Sequence, residues 1–311
     1  MKQKLLTFVV ILLATAAMVF ASGKPEATGS GSQPAGKVSV GAKNFTEQYI
    51  MGQLISQLLE ANGFKVSQDF GMSSTVVRKG LETGQIDMYA EYTGTAWVTY
   101  LKNKTVIHDP KKLFDAVKQE DLQKNNIVWL PMLPVNDTYA LAVTQKFAQE
   151  NNLNTLGDLA ALVNKEPNKV RFAVDPEFYK RPDGFFAMAK DYGMNVPKNQ
   201  VSTMQIGLTY QALNKGDVNV AMVFSTDGNL KKYKLKVLED NKQFFPPYYL
   251  AVTVRKSILD KYPQIKTILA PLAQKLTQED MINMNYQVDA EKKEPANVAK
   301  AFLQQAGLIK G

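Results

Sequence analysis

One histidine and no cysteine narrow the chemistry open to this 311-residue chain. His108 stands in Thr105-Val106-Ile107-His108-Asp109-Pro110, where a turn follows, and such a lone histidine reads as a surface residue. Serine–histidine–aspartate catalysis would have to recruit it, yet no nucleophile motif lies near it in sequence. The absence of cysteine removes disulfides, thiolate zinc sites and cysteine nucleophiles together. Asp87 and Glu91 could pair for acid–base work, but nothing in the sequence fixes their separation. There is no phosphate-binding glycine loop, metal-ligand cluster or activated nucleophile. The chain therefore reads as a non-enzyme with no resident metal or cofactor.

Composition is that of a folded protein, 45% hydrophobic and 21% charged, with a length that suits two domains or one domain split by a cleft. The formal charge is +8. Lysines and acids are interspersed, so the excess is diffuse and reads as a solvated surface, with no nucleic-acid partner. At the N-terminus, Lys2 and Lys4 precede an apolar run from Leu5 to Ala21, and polar Ser22-Gly23-Lys24 follows. That order is a secretory leader over residues 1–21, with Val19-Phe20-Ala21 at the cut. An uncleaved anchor is the alternative. A Gly-, Ser-, Pro- and Ala-rich stretch to residue 36 reads as a flexible tether. The folded part is expected to begin near Lys37, outside the cytoplasm.

Strands and helices alternate through the body. Lys37–Gly41 alternates as a strand, and Asn44 stands three residues before Glu47 at capping-box spacing. Ile50, Met51, Leu54, Leu58 and Leu59 follow at helical spacing, stopped by Asn62-Gly63. A helix through Val76, Val77 and Leu81 ends at Gly84. Further strands read at 64–66, 86–90, 139–143, 170–174, 218–224 and 249–254, and the tail from Ser257 to Leu308 reads as mainly helical. Strands joined by helical crossovers imply α/β sheets with ligand sites at strand ends.

Five strings then carry a resemblance. Gly41-Ala42-Lys43-Asn44-Phe45-Thr46-Glu47-Gln48, Glu91-Tyr92-Thr93-Gly94-Thr95, Arg181-Pro182-Asp183-Gly184, Ser225-Thr226-Asp227-Gly228 and Phe245-Pro246-Pro247-Tyr248 resemble successive signatures of the glycine betaine/choline/carnitine-binding proteins of osmoprotectant ABC importers. The resemblance runs from about Val38 to Leu308, with the motifs in family order. It implies a type II periplasmic-binding-protein fold, with lobe I at 37–138 and 246–311 and lobe II at 139–245. It also implies a periplasmic or surface-exposed monomer that passes a quaternary ammonium, glycine betaine first, to permease subunits in the membrane.

The resemblance further implies an aromatic cage around the trimethylammonium group: Tyr92, Tyr139, Phe224 and Tyr248. Phe224 replaces the tyrosine general in the family, keeping the ring face but losing a hydroxyl. Arg181, Thr95 and Lys43 are implied for the ligand carboxylate, with Gln48 in reserve for Lys43. The physics is coherent. A trimethylated nitrogen has no N–H to donate, so ring faces must hold it, while the planar fork of arginine matches a carboxylate. Taken singly, Arg181 could instead pair with Asp183, and Asp137 and Asp227 could bond loop backbone. Two other readings stand beside this one: a receptor of the same fold for an amino acid or other zwitterion, and a member that prefers choline or carnitine.

Overall fold

The computed structural model describes residues 35–310. The leader read over 1–21, and all but the end of the tether read over 22–36, lie outside the described residues.

In chain order the elements begin with β1 (Gly36–Lys43), α1 (Thr46–Ala61), β2 (Phe64–Met72), α2 (Ser74–Thr83) and β3 (Met88–Tyr92). A short helical segment α3 (Thr93–Thr95) widens into a π turn, and α4 (Pro110–Asn125) and β4 (Ile127–Trp129) follow. Next come β5 (Tyr139–Thr144), α5 (Gln145–Asn151), α6 (Leu156–Lys165), β6 (Phe172–Val174), α7 (Pro176–Lys180) and α8 (Phe185–Asp191). Then β7 (Val201–Thr203), α9 (Ile206–Lys215), β8 (Val220–Phe224), α10 (Gly228–Lys232), β9 (Leu235–Val237) and β10 (Leu250–Arg255) complete the strands. Five helices close the chain: α11 (Lys256–Lys261), α12 (Gln264–Leu269), α13 (Leu272–Lys275), α14 (Gln278–Asp289) and α15 (Pro295–Gln305).

The strands form two five-stranded sheets, ordered β2-β1-β3-β10-β4 and β7-β6-β8-β5-β9. The two share a plan. β1 is parallel to β2 and β3, as β6 is to β7 and β8. One antiparallel strand, β10 or β5, then enters each sheet. Every residue of β3 and β8 is buried, as expected of strands covered by helices on both faces. The fold is thus mixed α/β in two lobes. The chain crosses between the sheets twice, through two segments that run side by side. Leu133 N–H donates to Leu250 O (2.8 Å), and Asp137 N–H to Tyr248 O (3.1 Å).

Sequence and structure differ at two kinds of place. The three-residue strands β4, β7 and β9 are too short to show a period. The capping box expected from Asn44 and Glu47 does not form: α1 starts at Thr46, Phe45 occupies the cap position and no side chain caps the helix. Glu47 turns inward instead, where the buried side chains of Tyr92, Thr226 and Asn285 hold it. Helix α14 packs on both α1 and α10. It approaches α10 so closely that a Cβ on Gly228 would lie 2.4 Å from Tyr286 Cα, and this contact carries Asn285 to Glu47 and to the Thr226 carbonyl.

Candidate functional site

The strand termini place four rings together. Tyr92 ends β3 and Phe224 ends β8, Tyr139 begins β5, and Tyr248 stands two residues before β10. Antiparallel register sets Tyr139 opposite Phe224 and Leu250 opposite Tyr92. Ring centroids of Tyr139 lie 5.1 Å from Phe224 and 5.5 Å from Tyr248. Phe45 adds a fifth ring, 5.1 Å from Phe224 and 6.2 Å from Tyr92. All five line one cavity of about 270 Å³. Sequence reasoning missed Phe45 as a wall residue, although it stands inside a quoted motif, because an aromatic just ahead of a helix reads as packing.

The cations expected for a carboxylate are each already partnered. Lys43 is buried and its Nζ lies 2.6 Å from Glu91 Oε1; it also sits 4.9 Å from the Tyr92 ring centroid. Glu91 accepts further bonds from the Tyr89 hydroxyl and the Tyr92 amide. Arg181 donates two parallel bonds to Asp183, at 2.8 and 2.6 Å. Its Nη1 reaches Thr95 Oγ1 and Glu177 Oε1, both at the longer distance of 3.3 Å. The guanidinium lies 5.0 Å from the Tyr139 centroid and 5.9 Å from that of Tyr248. Lys43 and Thr95 line the cavity, whereas Arg181 touches its wall through Thr95. Gln48 lies off the wall, bonded to the Ala90 carbonyl and the Lys43 amide.

Three acids stand in the rest of the lining, Asp137, Asp175 and Glu177. Burial pushes the Asp175 carboxyl up to about 6. Burial, and then the neighbouring charge of Glu47, raise Asp137 above the ordinary aspartate range. Low-dielectric walls with carboxyl groups favour a cation inside. Asp227, beside the cage, is pushed up to about 8 by burial and next by Asp289, and it accepts from the Tyr210 hydroxyl. Asp137 does bond loop backbone, accepting from the Thr226 amide at 3.2 Å. Asp87 and Glu91 serve separate partners, since Asp87 accepts from the Ser39 amide and meets Arg255. His108 is exposed.

Gly94 shows how tightly the cage is backed. A Cβ there would come within 2.7 Å of the Tyr248 ring and 2.9 Å of the Pro247 carbonyl oxygen. Gly94→Ala is therefore expected to cost about 1–3 kcal/mol through overpacking. At roughly 2–4 °C per kcal/mol for a chain of this size, thermal unfolding will show it as a lowered Tm; an unchanged Tm would mean the ring moves aside freely.

Comparison with known proteins adds to this geometry. Residues 36–305 match the family described as the substrate binding domain of ABC-type glycine betaine transport systems. A glycine-betaine-binding protein of Pseudomonas aeruginosa is 36% identical over 285 residues, covering 90% of this chain and 91% of that one. An ergothioneine transport permease/ergothioneine binding protein of Helicobacter pylori is 36% identical over 271 residues, 86% of this chain but 47% of that longer one. The crystal structure of a glycine betaine/carnitine/choline ABC transporter superposes with a TM-score of 0.70 at 33% identity, over 87% of this chain and 99% of that one.

Proposed function

The chain belongs to the family of substrate-binding domains of ABC-type glycine betaine transport systems, and from that premise we propose that its cavity captures glycine betaine by its trimethylammonium group. Members of the family are extracytoplasmic binding proteins that take small quaternary ammonium ligands and work with permease subunits. Among the described residues no helix is long and apolar enough to cross a membrane, and the leader read over residues 1–21 would deliver the chain outside the cytoplasm.

The observation that carries the reading is the convergence of Tyr92, Tyr139, Phe224, Tyr248 and Phe45 on a single small cavity with acidic walls. Each desolvated ring contact with a cation is worth on the order of 2 kcal/mol. A micromolar complex needs about 8 kcal/mol, so a few rings suffice once ion dehydration is offset by the remaining contacts. The carboxylate would turn toward Thr95. There the weakly held Nη1 of Arg181 can exchange its long contact with Glu177 for a ligand oxygen, and Lys43 is within the same wall. Rings supplied by both lobes already touch, as the Phe45–Phe224 stack shows. In our reading ligand docks on one lobe, and closure brings the second set of rings and expels water.

A second reading has its own support. Arg181 and Lys43 are both ion-paired, and three acids line the walls, an electrostatic balance that suits a cation without a carboxylate, such as choline. Isothermal titration with glycine, its mono-, di- and trimethyl forms, choline, carnitine and ergothioneine decides between them. The cage requires affinity to climb with methylation and to be greatest for a trimethylated ligand. Equal binding of glycine and glycine betaine would return the chain to ordinary zwitterion receptors.

A further inference from the structure

Behind the cavity wall one hydroxyl proton stands between two acids, of which Asp137 lines the cavity. Thr226 Oγ1 lies 2.7 Å from Glu47 Oε2 and 2.7 Å from Asp137 Oδ1. A threonine hydroxyl donates one proton, so it satisfies one of these oxygens; the other contact needs a proton brought by the carboxyl itself. Neighbouring donors do not supply it. The Tyr92 hydroxyl donates to Glu47 Oε1 at 2.8 Å, Asn285 Nδ2 to Glu47 Oε2 at 3.3 Å, and the Thr226 amide to Asp137 Oδ1 at 3.2 Å. Glu47 is 0% and Asp137 4% exposed, so water does not screen their repulsion, and two carboxyls in such a setting ionise one at a time.

We propose that Glu47 and Asp137 share one proton through Thr226, that the pair holds a single negative charge against the cavity, and that an entering quaternary ammonium drives the shared proton into solvent. The last step rests on the reading of the cavity as a cation site. Asp137 lines that cavity beside Tyr92, Tyr139 and Phe224, so its charge faces the space the rings enclose. Glu47 comes from α1 on the first lobe and Thr226 from the segment after β8 on the second, so the hydrogen bond between them also joins the lobes.

The surrounding charges do not neutralise the pair. On β1, Lys43 lies over the Tyr92 ring but is matched by Glu91. From the segment before α10 comes Asp227, bonded to Tyr210 of α9. From α14 comes Asp289, bonded to Thr46 and offset by Lys232 and Lys292. Elsewhere on the cavity wall stand Asp175 and Glu177, with Arg181 tied to Asp183 behind them. Burial is the first cause that raises both Glu47 and Asp137 above their ordinary values, in line with a retained proton.

The bound cation stabilises the doubly ionised pair, so the complex carries fewer protons than the free protein. Affinity is weakest below the pair's ligand-bound titration, rises with pH by up to about tenfold per unit, and levels off above its ligand-free titration. The test is calorimetry of the full chain with glycine betaine at pH 7 in two buffers of different ionisation enthalpy, together with infrared spectra of the ligand-free protein. Expected are release of up to about one proton per ligand, and a protonated-carboxyl band lost in both Glu47→Gln and Asp137→Asn, each of which also abolishes the release. Binding without proton release overturns the proposal, as does release that survives both substitutions and disappears in Asp175→Asn. If no quaternary ammonium binds, the cation-site reading falls, and with it the linkage. The infrared spectrum then decides the shared proton alone: Asp227, also pushed up by burial, contributes a band of its own, so a spectrum that neither Glu47→Gln nor Asp137→Asn changes overturns that too.

Discussion

Replacing Tyr139 by alanine is expected to weaken glycine betaine binding by roughly 30-fold, the equivalent of one desolvated cation–ring contact of about 2 kcal/mol. Replacing it by phenylalanine is expected to cost roughly threefold or less. Tyr139 is the ring on which the cage is centred, packed against Phe178, Phe224, Phe245 and Tyr248. Its hydroxyl makes no hydrogen bond among the described residues, so phenylalanine keeps what the cation would use, the ring face. Tyr92 is a poorer test, because its hydroxyl donates to buried Glu47, and Tyr92→Phe would disturb an acid as well as the cage. Calorimetric affinities for the two Tyr139 variants, with Tm values to confirm folding, check the claim. Equal losses in both variants would assign the binding to the hydroxyl.

Arg181→Ala is expected to have the second large effect, and on two quantities. The Arg181 side chain is 3% exposed and its bidentate partner Asp183 11%. Removing one member of such a pair costs about 3–5 kcal/mol of stability, and the Tyr248 hydroxyl, which donates to Asp183, loses its fixed support. Binding should separate by ligand. Glycine betaine loses a charge-assisted bond worth about 1.5–3 kcal/mol, more than tenfold in affinity, whereas choline, without a carboxylate, loses less. Arg181→Lys retains the charge and guards against a variant that fails to fold. Parallel losses for both ligands would confine Arg181 to holding Asp183 and Tyr248 in place.

Much of this arrangement was legible in the chain. The aromatics at strand termini belong to motifs that can be read in order, and the alternation of strands with helical periods gives the α/β class directly. The pairing of Arg181 with Asp183 was legible as well, two residues apart. What escaped reading depends on contacts distant in sequence. Nothing near Lys43 announces that Glu91 will neutralise it, because β1 and β3 must first pair. Glu47 looks like a helix-capping acid, and only the meeting of α1 with α14 and the Thr226 segment shows that buried donors outcompete the helix end. Phe45 looks like ordinary packing until the second lobe brings Phe224 against it.

Lys43 and Glu47 in particular change the electrostatic character of the site. The motifs suggest a cation cage with two basic residues waiting for a carboxylate. The folded chain instead shows basic residues already matched, with an acid pair set against the rings. A ligand must therefore compete with Glu91 and Asp183 for Lys43 and Arg181, the same cations that lie over the rings of Tyr92, Tyr139 and Tyr248. Under the proposed function, the ammonium end would be the principal source of affinity and the carboxylate end the source of discrimination among betaines, carnitine and choline.

The most direct measurement is a crystal structure of the chain with glycine betaine bound. The expected result places the quaternary nitrogen within about 6 Å of the ring centroids of Tyr92, Tyr139, Phe224 and Tyr248, with the carboxylate toward Thr95. A ligand bound outside this cavity, or one whose carboxylate lies among the rings with its nitrogen in water, would contradict the account.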